Sequence, residues 1–215
     1  MFDSRKIGKK IAELRKTKDL TQVELADRMV VSYQAVSNWE RGNSMPDISN
    51  LVELAKILEV SIEELLDSEK ETRIVKKVID QPEQVNLEEA AKVAVLIKPV
   101  QLEKIIENQS DSEVNGVTLL NLAPYISSER LMELIERGKF TDLETIANLA
   151  PFLEQADLEN ILESLPEEER ISELIVGLAP FMSGKYLAKI GRHALEAGKM
   201  TIFRALLPFI DESEL

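Results

Sequence analysis

Residues 21–42 read TQVELADRMVVSYQAVSNWERG, two short helical patterns on either side of a tight turn. Thr21-Gln22-Val23-Glu24 has the form of a capping box, in which the threonine hydroxyl accepts from the Glu24 amide and the glutamate reaches back to the Thr21 amide. The helix it opens runs to about Met29 and is expected to bury Val23, Leu25 and Ala26. Ser32 is placed to cap a further helix over 33–41, with Val36 and Trp39 facing inward and Gly42 at the left-handed position just beyond. The turn itself is Met29-Val30-Val31, where Gly or Asn is expected. Either a β-branched residue is held at positive φ, at a cost of about 1–2 kcal/mol, or the turn is displaced to relieve it.

Working outward, Ile7, Ile11 and Leu14 recur at helical spacing and predict a first helix over about 4–18. Its other face carries Arg5, Lys6, Lys9, Lys10, Arg15, Lys16 and Lys18. Pro46-Asp47 opens a fourth helix with apolar positions Ile48, Leu51, Leu54, Ala55 and Leu58. Ser61-Ile62-Glu63-Glu64 reads as a second capping box, starting a short fifth helix that ends near Leu66. Five short helices around one apolar core are therefore expected within residues 1–68.

The stretch from Thr21 to Leu66 resembles the helix-turn-helix domain of the lambda-repressor-like (XRE, or Cro-type) transcriptional regulators, and the resemblance covers about 5–66. It lies in the TQxELA opening, the S-x-Q-x-V-S-x-W-E-R-G segment, the P-x-x-x-x-L-x-x-L-A segment and the V-S-x-x-x-L-L ending. In that family the second helix of the motif enters the major groove, and dimers read two half-sites about one DNA turn apart. The resemblance implies that Ser32, Tyr33, Gln34, Ser37 and Asn38 contact bases, and that Gln22 contacts a phosphate. The chemistry agrees: Gln34 and Asn38 are four residues apart on one helical face, and each amide offers a donor and an acceptor to an adenine edge. Arg15, Lys16 and Arg41 are candidate phosphate contacts, which set register without reading sequence.

Charge is distributed to match. The chain of 215 residues has a net charge of −13, which argues against generic binding to a polyanion. Residues 1–45, however, hold nine Lys/Arg against six Asp/Glu, while 46–215 hold 17 against 33. The positive excess lies on the segment with the motif, and the rest is an acidic body that phosphates repel. The longest apolar run, Ala94-Val95-Leu96-Ile97, is far short of the ~20 residues that span a bilayer. No secretory signal is visible at the N-terminus and there are no cysteines, so a cytoplasmic protein without a membrane segment is expected.

Residues 69–82 mix charges and read as a linker with a short helical stretch around 71–79. Beyond it the chain repeats. Leu122-Ala123-Pro124-Tyr125-Ile126 is echoed at Leu149-Ala150-Pro151-Phe152-Leu153, Leu178-Ala179-Pro180-Phe181-Met182 and Leu206-Leu207-Pro208-Phe209-Ile210. The prolines are 27, 29 and 28 residues apart, and Pro99 is a candidate for a degenerate earlier copy. Such a period is the signature of stacked helical pairs, so 83–215 is expected to be an α-helical repeat (solenoid-like) domain. Tyr125, Phe152, Phe181 and Phe209 are expected to pack its core, with a ligand groove as the alternative.

No acid, base and nucleophile assemble into a catalytic set, no Gly-rich phosphate loop occurs, and His193 is the only histidine. No enzyme, cofactor or metal site is expected. The reading is an all-α, sequence-specific regulator of double-stranded DNA with a palindromic operator, acting as a homodimer. Its repeats would serve dimerisation, a protein or peptide partner, or sensing. The alternative is an interaction or antitoxin-like module in which the helix-turn-helix domain is not primarily a DNA reader.

Overall fold

The computed structural model describes residues 2–109, 114–140 and 142–210, which are all-α with no strand among them. The chain divides into two compact units, Met1–Ser112 and Glu113–Leu215.

The first unit begins with α1 (Ser4–Thr17), α2 (Gln22–Met29), α3 (Tyr33–Arg41), α4 (Ile48–Leu58) and α5 (Ile62–Leu66). Side chains of Asp3, Thr21, Ser32, Asp47 and Ser61 cap them in turn, each accepting from backbone N–H groups of the first turn that have no partner inside the helix. Ile11, Leu25, Val36, Leu51, Leu54 and Leu65 are fully buried and form the common core. Val23 departs from expectation: it is 53% exposed. The buried stripe of α2 is Leu25, Ala26 and Met29, and Val23 lies roughly a third of a turn around the helix from its centre. At Ser61 only the hydroxyl half of the expected capping box forms, because Glu64 turns to Lys10 instead, at 3.4 Å.

Within 69–82 the helix expected around 71–79 is present, and it is longer than expected. Glu69–Asp80 form α6, which buries Thr72, Val75 and Val78 and packs against both α5 and α7 (Leu87–Val93). The dense charges hide a three-residue spacing of buried positions, and they are used in packing: Lys76 pairs with Glu63 of α5, and Lys77 with Glu89 of α7 at 2.6 Å. With α8 (Pro99–Glu107), these helices belong to the same compact unit as the N-terminal five.

The second unit holds α9 (Gly116–Leu122), α10 (Ser128–Gly138), α11 (Leu143–Leu149), α12 (Gln155–Ser164), α13 (Glu167–Arg170), α14 (Leu174–Leu178), α15 (Gly184–Glu196) and α16 (Met200–Leu206). Each proline-aromatic motif is one device: an α-helix ends at Leu122, Leu149, Leu178 or Leu206 and tightens into a 3-10 turn with proline at its second position. Proline suits that place, since its fixed φ fits the turn and its missing N–H is not needed there. The degenerate copy is in a different register from the one expected. Ala94–Leu96 form the equivalent 3-10 turn at the end of α7, with Val95 in the proline's place, while Pro99 starts α8.

The aromatics do not fill the core. Leu122, Leu149, Leu178 and Leu206 are buried in each copy, as are Ala123, Ala150 and Ala179 in three of them, whereas Phe152, Phe181 and Phe209 are 37–43% exposed. A 3-10 turn advances by a third of a circle per residue, so burying its first residue directs its third toward the surface. Successive copies lie side by side at this point: the Glu154 amide donates to Ser128 Oγ at 3.1 Å, and the Ser183 amide to Glu159 Oε1 at 2.7 Å.

Candidate nucleic-acid interface

The capping box at Thr21 is complete. Its hydroxyl accepts from the Glu24 amide at 3.1 Å, and the Glu24 carboxylate accepts from the Thr21 amide at 2.7 Å. The bond from the Thr21 amide foremost, and a second from the Thr21 hydroxyl to the same carboxylate oxygen at 2.8 Å, hold the Glu24 carboxyl below the usual carboxylate range. At the other end of α2 the backbone keeps the tight geometry without glycine. Val30 has φ 56° and ψ 42°, in the left-handed region, and its N–H reaches back to Asp27 O at 3.2 Å. The Val31 amide donates to Ala26 O at 3.0 Å, closing the helix in the manner normally built around glycine. Val30 is 92% exposed, so no packing accompanies the strained backbone.

Helix α3 is held from below by α1. A β-carbon at Gly8 would sit 2.2 Å from the Trp39 carbonyl oxygen and 2.8 Å from that of Glu40, so α1 and α3 approach as closely as they do only because residue 8 is glycine. Ser4 Oγ donates to Gly42 O at 3.0 Å, tying the start of α1 to the end of α3.

Glu40, which sequence reasoning passed over, joins three helices. Arg15 of α1 donates to it through Nε at 2.5 Å and Nη2 at 2.9 Å, and through Nη1 to Leu20 O at 2.6 Å. Gln22 Nε2, at the start of α2, donates to Glu40 Oε2 at 2.7 Å. Burial alone would raise the Glu40 carboxyl, but hydrogen bonds from Arg15 and Gln22 and the charge of Arg15 outweigh it and leave it below the usual range. The same pairing raises the Arg15 guanidinium. A bidentate arginine–carboxylate pair with its remaining donors satisfied is the form in which buried charge is tolerated. One signal for it was available: Ile7, Ile11 and Arg15 fall at i, i+4 and i+8, so the arginine continues an apolar stripe.

The expected contact residues therefore divide. Arg15 is buried, with its guanidinium bound internally, and is not free to meet a phosphate. Ser37 is 4% exposed, because α3 packs on both α1 and α2 and the wider buried arc takes in position 37 beside Val36 and Trp39. Ser32 is exposed, but its oxygen caps α3 by accepting from the Ala35 amide at 3.1 Å. Gln22 is half-buried against Glu40. Tyr33, Gln34, Arg41 and Lys16 are exposed, and Asn38 is half-exposed. Gln34, Asn38 and Arg41 share one outward arc and are joined, with Asn38 Oδ1 accepting from Gln34 Nε2 at 3.4 Å and from Arg41 Nη2 at 2.8 Å.

Residues 11–65 match the helix-turn-helix family. The HTH-type transcriptional activator BcrR of Enterococcus faecalis is 40% identical over 62 residues, which are 29% of this chain and 30% of that relative. The HTH-type transcriptional regulator y4dJ of Sinorhizobium fredii is 44% identical over 72 residues, 33% of this chain and 94% of that relative. Among solved structures, the SHP pheromone receptor Rgg2 of Streptococcus dysgalactiae aligns over 95% of this chain and 76% of its own, with 16% identity and a TM-score of 0.26. With the capped helix pair in place and one relative matched over nearly its whole length, the chain belongs to the XRE-type helix-turn-helix family of transcriptional regulators.

Proposed function

We propose that this protein is a sequence-specific regulator that places α3 in the major groove of double-stranded DNA, with Tyr33, Gln34 and Asn38 facing base edges. The observation that carries this is the outward arc of Gln34, Asn38 and Arg41, held rigidly from behind by the Arg15–Glu40–Gln22 network. Ser32, at the helix N-terminus, donates its hydroxyl proton while its oxygen caps the helix, and Lys16 neutralises a phosphate. Gln22 contributes its remaining amide donor to the backbone. The functional DNA-binding domain is residues 1–68, and the repeats serve dimerisation, a partner or sensing. A dimer matches a palindromic operator. The second unit, with nine Lys/Arg and 18 Asp/Glu, is repelled by phosphates, so the N-terminal unit meets the DNA. No helix among the described residues is long and apolar enough to cross a membrane, in keeping with a cytoplasmic regulator.

The test is selection of DNA fragments from a genomic pool by the purified protein, repeated with Gln34→Ala and Asn38→Ala. A palindromic site whose recognition relaxes at one base position per variant supports the proposal. Lys16→Ala should weaken binding to all sequences alike and reduce the salt slope by about one. An absence of enriched sites at moderate salt would overturn it in favour of a protein-interaction module. Sedimentation of the full chain with and without the selected site measures the oligomer.

A further inference from the structure

The hydrogen-bond polarity of the α3 surface gives Asn38 a narrower role than its residue type allows, an inference that rests on the DNA-reading function proposed above. Asn38 Oδ1 accepts from Arg41 Nη2 at 2.8 Å and, at longer range, from Gln34 Nε2 at 3.4 Å. A guanidinium carries donors and no acceptor, so the Asn38 atom that faces Arg41 is the carbonyl oxygen, which settles the orientation of the amide. That oxygen has two lone pairs, and both are directed at side chains of its own helix. What Asn38 offers outward is its NH2 group alone.

This matters for base choice. An asparagine that reads adenine uses both ends of its amide, donating to N7 and accepting from the N6 amino group. With its oxygen engaged, Asn38 lacks the second contact. Guanine presents only acceptors, N7 and O6, at its major-groove edge, and a donor-only group fits it. Gln34 is oriented the opposite way, with its NH2 turned toward Asn38 and its carbonyl oxygen left to accept from an adenine or cytosine amino group. We propose that Arg41 is a positioning residue that sets Asn38 to read guanine, and that it is not the phosphate contact its charge suggests. Arg41 supplies no base contact itself; it fixes which half of a neighbouring amide is available.

The experiment is selection from a randomised DNA pool by the full chain, as wild type and as Asn38→Ala, Arg41→Ala and Arg41→Lys, with affinity for the best site measured across salt. The base position that loses preference in Asn38→Ala is the one Asn38 reads, and in the wild type it should be guanine. In Arg41→Ala the amide regains its acceptor, and the guanine-over-adenine preference there should fall by about 5- to 150-fold, the discrimination of a bidentate pair. Arg41→Lys should keep guanine, because an ammonium also only donates. Adenine at that position in the wild type would overturn the proposal. So would an Arg41→Ala protein with unchanged base preference and a salt slope lower by about 0.9, the mark of a lost phosphate contact. Failure of the wild type to enrich any site is a separate result, which removes the DNA-reading function and this inference with it. Arg41 lies on the surface and Asn38 is half-exposed, and the fluorescence melt of buried Trp39 checks that each variant is folded.

Discussion

Replacing Val30 with glycine separates the two ways in which the chain can turn between α2 and α3. In the structure Val30 occupies the left-handed region at φ 56°, where a side chain with a β-carbon meets the following carbonyl at a cost of about 1–2 kcal/mol. Its side chain is 92% exposed, so removing it forfeits almost no burial. Against the relief stands the greater freedom of glycine in the unfolded chain, about 0.5–1 kcal/mol. The difference leaves Val30→Gly more stable by about 0.5–1 kcal/mol, or roughly 2–8 °C in the melting midpoint of a domain of this size. Trp39 is the single tryptophan and is 6% exposed within the same helical core, so its fluorescence during urea or thermal unfolding reports this domain specifically. Val31→Gly is the control: that residue is not at positive φ, and glycine there should destabilise by about 0.5–1 kcal/mol. A midpoint for Val30→Gly equal to or below the wild type would refute the left-handed turn and the steric argument built on it.

Three other outcomes are expected with the same fluorescence assay. Gly8→Ala should lower stability by about 2–3 kcal/mol, since the new β-carbon meets backbone atoms of Trp39 and Glu40 that cannot rotate away; a loss under 1 kcal/mol would mean that α1 shifts without strain. Glu40→Gln should cost about 3 kcal/mol at neutral pH by leaving the buried Arg15 charge without its carboxylate. The pH dependence follows from the lowered Glu40 carboxyl: its stabilisation is complete above the unfolded value of about 4.3 and is lost as pH falls through the lower folded value. As pH falls below about 4.3 the wild type should therefore lose more stability than Glu40→Gln, and parallel pH profiles would contradict the assignment.

The local code was legible where short-range rules govern. The limits of α2 and α3, the caps at Thr21 and Ser32, the left-handed Gly42 and the buried stripe of α4 all follow from spacing and from the need of helix ends for hydrogen-bond partners. The proline-aromatic period likewise announced repeated helix ends. Less legible was which side of an amphipathic element would be covered, because that depends on how many neighbours arrive. Ser37 and Val23 exchanged places in this respect: two helices close over one, and none covers the other.

Sequence alone thus determined the all-α class, the helix-turn-helix unit and the position of the turn, since each is written in residues within a few places of one another, and the repeat period, since one short motif recurs along the chain. Only the tertiary structure decided that Arg15 is a structural cation and Glu40 its anchor, because the pair is 25 residues apart and meets only when α1 lies against α3 across Gly8. The same holds for Thr72, Val75 and Val78, whose charged surroundings read as a linker until α5 and α7 cover them. Val30 joins both levels. The sequence posed it as a residue unsuited to its turn, and the packing of α2 and α3 on a common core holds it at positive φ despite the strain.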